Sequence, residues 1–250
     1  MKILFLIPPS EGKNNFNNHS IEKLSFDFNK PLEIAHNVCE KDLKCSWTRF
    51  LEWIKLNKNI ETTESIDAIN RYSWVMYNSI NYQWMTTKWR KFFQEHFLIF
   101  SWMYWIVRPI DKIWNYKLPI ETKWLYKYWW DIIPKAIIDL KVDYIVNLLP
   151  ISYAKLIWEY TKCNRHKKKK EAILDSGTKI INVNFVKSKQ PPLTPPYQGE
   201  NRTYIKISHW VKKIKWEWIK NICEKNICDY RQFWWEVIEY WKVIDVNVIM

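Results

Sequence analysis

Glycine is the residue that this chain lacks most clearly, with 3 among 250 residues where ordinary domains carry roughly 7%. Tryptophan is in excess instead, at 18 residues. With glycine at those positions the total would be about 8%, an ordinary glycine content. We therefore hypothesise that many of these tryptophans are glycines encoded by UGA, a codon that some bacterial lineages read as glycine. The alternative is a truly aromatic-rich protein.

Local sequence contexts favour the glycine hypothesis. Segments 101–105 (SWMYW), 233–236 (FWWE) and 240–242 (YWK) each become a turn or the start of a strand when Trp is replaced by Gly. Glycine adopts positive φ without a steric cost, and tryptophan is its poorest substitute. Any inference about a close backbone approach at these segments depends on this hypothesis.

Other absences limit the class of protein. The five cysteines, at positions 39, 45, 163, 223 and 228, contain no CxxC pair, so we expect reduced thiols and no disulfide framework. The five histidines form no HxxxH or ExxH cluster. We therefore predict no stable metal and no cofactor, and direct iron binding is disfavoured.

No apolar run reaches the ~18 residues of a membrane helix. The first run, closed by Pro8 and Pro9, is too short for a signal peptide, so we expect a cytoplasmic protein without a membrane partner.

Positive charge is plentiful. Lys and Arg total 39 against 26 Asp and Glu, a formal net charge of +13. Such an excess indicates a polyanionic partner, first nucleic acid, then an anionic membrane surface or a small phosphorylated ligand. Lysines 212, 213, 215, 220 and 225 lie in or beside a predicted helix and can share a broad face. The alternative in both cases is a solvated basic surface.

The apolar pattern predicts a mixed α/β fold, a single compact domain over residues 1–250 with a central mixed sheet. Buried strands are predicted at 2–7 and 143–149, an alternating strand at 179–187 and a last strand at 236–246. Helices are predicted over 31–56, 63–69, 125–140, 152–160 and 214–228, with Pro134 at a kink or in an early turn. Runs 75–80 and 97–100 fit either element. The proline-rich stretch 188–200 is predicted to be a loop inserted within the domain.

Two segments carry candidate chemistry. Ser10, Gly12 and Lys13 follow the first strand, where α/β folds place ligand sites. The segment is not a phosphate-binding P-loop, because Ile7 and Asn14 break the pattern, and a plain surface turn is the alternative. Segment 100–109 becomes a permissive turn if residues 102 and 105 are glycine, with Arg108 as a fork for an anion.

Ordered blocks along the chain resemble the YaaA-type peroxide stress resistance proteins, long classed as a domain of unknown function. The blocks are PPSEGK at 8–13, SWMYWIVRP at 101–109, LYKYWWD at 125–131, Asn147-Leu148, and a late block of Ser208, Lys212, Lys213 and Trp216. In this resemblance, Trp74, Trp84, Trp102, Trp105, Trp130 and Trp216 fall where the family has glycine. Trp129 falls where the family has tryptophan.

The resemblance implies a cytosolic protein of the hydrogen peroxide response that lowers damage from unincorporated iron. It also implies a mixed α/β fold with a positively charged cleft, and DNA binding through an element like a helix-hairpin-helix. The polar positions that it carries over are Ser10, Lys13, Tyr77, Ser101, Tyr104, Arg108, Tyr116, Asn147, Ser208 and Lys212, and we add the adjacent Lys213. One departure is Pro119 where the family has an acidic residue, with Glu121 two residues later.

Two functions follow as expectations. The first is a DNA-binding stress protein, with a monomer favoured. The alternative is an enzyme acting on a nucleotide or nucleic acid in the same cleft, with Ser10, Lys13, Tyr104 and Arg108 as reactive or anion-positioning groups.

Overall fold

The computed structural model describes residues 2–15, 29–43, 47–119, 122, 125–150, 153, 173, 175–188, 204–206, 235–240 and 243–249. Its strands are β1 (Ile3–Ile7), β2 (Ile66–Asp67), β3 (Phe97–Ser101), β4 (Trp105–Val107), β5 (Lys112–Ile113), β6 (Tyr144–Asn147), β7 (Lys179–Ser188), β8 (Tyr204–Lys206), β9 (Trp235–Tyr240) and β10 (Val243–Ile249). Its helices are α1 (Asn29–His36), α2 (Glu40–Leu43), α3 (Trp47–Lys58), α4 (Ala68–Arg71), α5 (Val75–Ile80), α6 (Thr87–His96) and α7 (Leu125–Asp139).

A mixed sheet of eight strands organises this part of the chain, in the order β4-β3-β1-β6-β7-β10-β9, with β8 also paired to β7. Strands β3, β1, β6, β7 and β10 run parallel to one another. Strands β4, β8 and β9 are antiparallel to their neighbours. The predicted mixed α/β fold with a central mixed sheet is therefore confirmed. A separate two-stranded ladder joins β2 to β5.

Continuous apolar runs form the centre of the sheet. Every residue of β3 is buried, as are the last four of β1, which is typical of parallel strands covered on both faces. Helix α6 packs against β1, and the Phe93 ring stacks on Phe97 at 4.2 Å between ring centroids. The Phe97 ring in turn stacks on Phe5 at 4.7 Å. The core thus fixes β1 and β3 side by side with their carboxyl ends at one edge.

Several predicted elements are confirmed with adjusted bounds. The helical stretch 31–56 is divided among α1, α2 and α3, and the ambiguous runs resolve as helix α5 and strand β3. Helix α7 matches its predicted range, and Pro134 lies inside the helix rather than in its first turn. Strands β1, β6 and β7 match the strands predicted at 2–7, 143–149 and 179–187. Helices 152–160 and 214–228 lie outside the described residues, apart from Tyr153, and so does the proline-rich stretch beyond Ser188.

Two predictions were wrong. The stretch 236–246 was predicted as one last strand, but the structure has two strands there, β9 and β10. They pair antiparallel, with Tyr240 opposite Val243. A period of two shows which residues alternate but not where the chain reverses, and residues 241–242 between the strands carry no glycine. The prediction of a helix over 63–69 was also wrong, because Ile66 and Asp67 form strand β2, which pairs with β5. An ion pair of 3.0 Å between Lys112 Nζ and Asp67 Oδ1 reinforces that ladder.

Candidate functional site

The carboxyl ends of β1 and β6 form a topological switch point. The two strands are adjacent and parallel, but the chain continues from β1 towards β3 on one side and from β6 to β7 on the other. Loops that diverge in this way leave a crevice, where open α/β sheets bind ligands. The Leu148 N–H donates to the Leu6 carbonyl at 3.1 Å, so the strands stay paired up to this edge.

The loop after β1 is held against the end of helix α4. Lys13 forms an isolated bridge with Tyr72, and the Asn14 N–H donates to the Arg71 carbonyl at 2.8 Å. The Ser73 N–H donates to the Gly12 carbonyl at 3.0 Å. These backbone bonds position the SEGK segment, which follows strand β1 as the sequence predicts.

Three cations gather around this loop: Lys13, Arg71 and Lys117. Their side chains donate to main-chain carbonyls, Lys13 to Ser10 at 3.3 Å, Lys117 to Glu11 at 2.8 Å, and the buried Arg71 to Asn14 and Glu64. Burial holds the pKa of Lys13 well below its ordinary value, the positive charges of Lys117 and Arg71 lower it further, and Glu11 opposes them. Burial also lowers the pKa of Lys117. The loop therefore carries positive charge in a confined space.

A chain of buried hydroxyls lies next to these cations. The Tyr72 and Tyr116 hydroxyls are 3.0 Å apart, and the Tyr116 hydroxyl is 3.0 Å from Ser101 Oγ. Ser101 Oγ also accepts a hydrogen bond from the backbone N–H of Tyr104 at 3.1 Å. The Tyr104 hydroxyl accepts one from the backbone N–H of Trp114 at 3.0 Å. Burial raises the pKa of all three tyrosines. Their hydroxyls therefore remain protonated at neutral pH and can donate as well as accept.

Lys13 connects the cations to the hydroxyls. Its Nζ lies 4.2 Å from the centre of the Tyr116 ring and 5.6 Å from that of the Tyr72 ring. The face of an aromatic ring attracts a cation, whereas burial favours the neutral amine. The arrangement can bind an anionic group, and it also holds an amine that gives up its proton more readily than a solvated lysine does.

The structure therefore brings together Lys13, Ser101, Tyr104 and Tyr116 of the predicted site, with Ser10 contributing its carbonyl. Tyr77 lies beside this group, because its hydroxyl donates to the Pro8 carbonyl at 2.9 Å and its ring lies 5.3 Å from the Tyr72 ring. Asn147 lies two strands away from Ser101, at the end of β6. Its amide donates to Asn182 Oδ1 at 3.0 Å and accepts the Leu149 N–H at 3.0 Å.

Arg108 is not brought into this group. Strand β4 runs antiparallel to β3 with Val107 opposite Ile99. Arg108 is thus displaced about 10 Å along the strand from Ser101, at roughly 3.3 Å per residue, and its side chain is exposed. The last three predicted positions, Ser208, Lys212 and Lys213, lie outside the described residues.

Sequence reasoning missed Arg71 and Tyr72. Nothing in the helical pattern around them distinguishes a buried functional arginine from an exposed one. Their importance comes from a long-range bridge to Lys13, and pairing of that kind has no local signature. Lys117 had a weak signal, since it lies between Tyr116 and Leu118 at the end of a polar stretch.

The described part of the chain contains neither a membrane-spanning helix nor a metal-binding cluster. No helix there is both long and apolar enough to cross a membrane. No group of three or more His, Cys, Asp or Glu side chains there is placed to hold a metal ion.

Fold and site together define an α/β protein with a cationic, hydroxyl-lined centre at a switch point of its sheet. Comparison with known proteins gives the family: the model described as "Peroxide stress protein YaaA" matches residues 1–234. The chain therefore belongs to the YaaA peroxide stress protein family, as the ordered blocks predict.

Curated relatives agree with this assignment. A UPF0246 protein of Clostridioides difficile is 34% identical over 119 residues, covering 43% of this chain and 48% of that protein. A UPF0246 protein of Finegoldia magna is 29% identical over 119 residues, covering 47% and 48%. A UPF0246 protein of Rickettsia rickettsii is 28% identical over 145 residues, covering 55% and 53%. The chain thus spans about half the length of the curated relatives that it matches.

The hydroxyl chain leads to a first prediction. Tyr116→Phe removes the oxygen between Ser101 and Tyr72, so two buried hydroxyls each lose a partner, and we expect a loss of about 1–3 kcal/mol in the free energy of unfolding. Tyr144→Phe, on a half-buried side chain at the start of β6, should change it by less than about 0.5 kcal/mol. Urea unfolding measures both, and equal effects would contradict the buried bridge.

The depressed pKa of Lys13 leads to a second prediction. Between the folded pKa and the unfolded value of 10.5, the unfolded chain holds a proton that the folded chain releases, so stability rises with pH in that window. Lys13→Met removes this contribution. We expect its stability relative to the parent to be highest at the acidic end of the window and to fall as pH approaches 10.5. Urea unfolding across this range, with the exposed Lys88→Met as control, tests it. A constant difference would contradict the lowered pKa.

Proposed function

We propose that this protein limits damage from free intracellular iron during peroxide stress by binding DNA in a basic cleft. Family membership supports the peroxide-stress role. The observation that supports an anionic partner is the gathering of Lys13, Arg71 and Lys117 at the switch point, in a chain with a net charge of +13. Lys13 and Lys117 are partly exposed and can neutralise backbone phosphates irrespective of base sequence, whereas the buried Arg71 contributes its charge from below them.

Counterion release connects DNA binding to iron. Each phosphate neutralised by a lysine or arginine releases cations condensed on the DNA. Ferrous ions held by phosphates belong to that population, so a protein that covers the backbone displaces them from the molecule that they damage. This route needs no iron ligand in the protein. Lys212 and Lys213 are the further cations that the sequence offers to phosphates in this proposal.

The test is the salt dependence of binding to duplex DNA. Neutralising each phosphate contributes about −0.9 to the slope of log affinity against log salt, so the double variant Lys212→Ala/Lys213→Ala should bind more weakly with a slope shallower by about 2. The matched control is Lys88→Ala/Lys91→Ala, on the exposed side of α6, which should leave the slope unchanged. Binding that is independent of salt, or absent at both low and moderate salt, would overturn the proposal.

A second candidate is an enzyme that acts on a nucleotide or nucleic acid in the same cleft. It is favoured by one observation, the Lys13 amine 4.2 Å from the ring of Tyr116, whose hydroxyl bonds Ser101. An amine with a lowered pKa is unprotonated more often than a solvated lysine and so is better suited to act as a base, and Ser101 and the tyrosine hydroxyls can donate to a developing negative charge. Arg108, displaced along β4, has no part in this version.

The two candidates respond differently to a single change. If the protein is an enzyme, incubation with nucleoside triphosphates or single-stranded DNA yields a product, and Lys13→Met reduces its rate by about 10²-fold or more, the scale of general-base catalysis. Salt-dependent DNA binding should then persist in the same variant, because most of the positive charge remains. Product formed equally well by Lys13→Met, or no product from either substrate class, would remove the enzyme candidate.

A further inference from the structure

Two tryptophans have a backbone conformation that belongs to glycine. Trp74 has φ 82° and ψ −175°, a region occupied almost only by glycine. Trp105 has φ 73°. The other described non-glycine residues with positive φ are Asn81 and Lys141, at 47° and 48°. Both follow helix ends, where a left-handed residue commonly closes a helix. No such role applies to the tryptophans.

Trp105 is the first residue of β4 and directly follows a tight turn, a position where glycine is favoured. It pairs with Ser101 across the β3–β4 hairpin, so three residues form the loop between them. Trp105 is therefore the first residue after the loop, and tight hairpin turns are often followed by a left-handed residue that forms a bulge, a position where glycine is favoured. A large aromatic side chain is strained at this position.

The indole N–H groups of Trp102 and Trp105 differ from that of Trp129 in their hydrogen bonding. Within the described part of the chain, Nε1 of Trp102 and Nε1 of Trp105 are buried without a hydrogen-bond partner. Nε1 of Trp129 instead donates to the Trp102 carbonyl at 2.7 Å. Buried polar groups are normally paired. The bond that Trp129 makes uses only the backbone of residue 102, so glycine there would retain it.

Trp74 also crowds the candidate site. A Cβ on Gly12 would lie 2.4 Å from Trp74 Nε1, so the indole lies directly against this glycine. Gly12 is one residue before Lys13, in the loop at the switch point. More than half of the Trp74 side chain remains exposed, so the ring covers the loop without being buried in the core.

We propose that residues 74, 102 and 105 are glycine in the protein that its own cells make, encoded by UGA codons, whereas residue 129 is tryptophan encoded by UGG. Glycine removes the strained φ at positions 74 and 105 and the orphaned N–H groups at positions 102 and 105. These three residues are then positioning residues of the candidate site. Residue 74 sets access to Gly12 and Lys13, and residues 102 and 105 shape the turn that begins at Ser101.

The decisive experiment is mass spectrometry of the protein isolated from its own cells, on peptides that cover residues 74, 102, 105 and 129, with the gene sequenced alongside. We expect glycine at the first three positions and tryptophan at 129, with UGA and UGG codons respectively. Tryptophan at any of the three, or glycine at 129, overturns the proposal. The measurement is independent of DNA binding.

Thermal unfolding of recombinant protein with the printed sequence gives a second measurement. Trp74→Gly should raise Tm by about 2–4 °C, the shift expected for relief of roughly one strained residue in a chain of this size. The matched control is Trp47→Gly, at a tryptophan about as exposed as Trp74 that is not among the positive-φ residues; it should not raise Tm. A fall in Tm for Trp74→Gly, or an equal rise in both variants, would contradict the strain on which the proposal rests.

Discussion

Hydrogen bonding of strand β1 on both edges is the constraint on which the site depends. Because β3 and β6 both pair with β1 in parallel, the chain must leave β1 in the middle of the sheet, at its carboxyl edge. The loop that follows has no open edge along which to run. It is instead held at the end of α4 by the bridge between Lys13 and Tyr72. Sheet order thus decides which side chains meet.

Those side chains meet under opposing physical demands. Desolvation disfavours a charged Lys13, yet the faces of two tyrosine rings favour the cation. The tyrosine hydroxyls are themselves buried, and hydrogen bonds to Ser101 and between the tyrosines satisfy them. Polar networks of this kind specify a single arrangement when they are complete. The same network is consistent with binding a phosphate and with moving a proton, which is why both candidate functions use it.

The sequence predicts what is local and periodic. Continuous apolar runs identified β1 and β6, alternation identified β7, and the position of Ser10 and Lys13 after β1 identified the loop of the site. The pairing of Lys13 with Tyr72, and the burial of Arg71 beside them, arise from contacts between residues some 60 positions apart and leave no periodic trace. The reversal between β9 and β10 was missed for another reason. Trp241 stands where turn chemistry would normally show a glycine, so a turn or strand start at 240–242 follows only from the glycine hypothesis, whereas the apolar pattern continues through the segment.

The burial of Arg71 has a consequence for how the site behaves as acidity changes. Its guanidinium reaches the carbonyls of Asn14 and Glu64, on two separate segments, and a guanidinium keeps its proton throughout the range in which proteins stay folded. Burial lowers the pKa of Arg71, but from so high a starting value that this clamp between the segments keeps its charge. Lys13, one residue away from Asn14, can change its charge while the backbone around it stays in place. The protein thereby separates the group that holds the loop from the group that responds to the proton, although the charge of the first still contributes to the lowered pKa of the second.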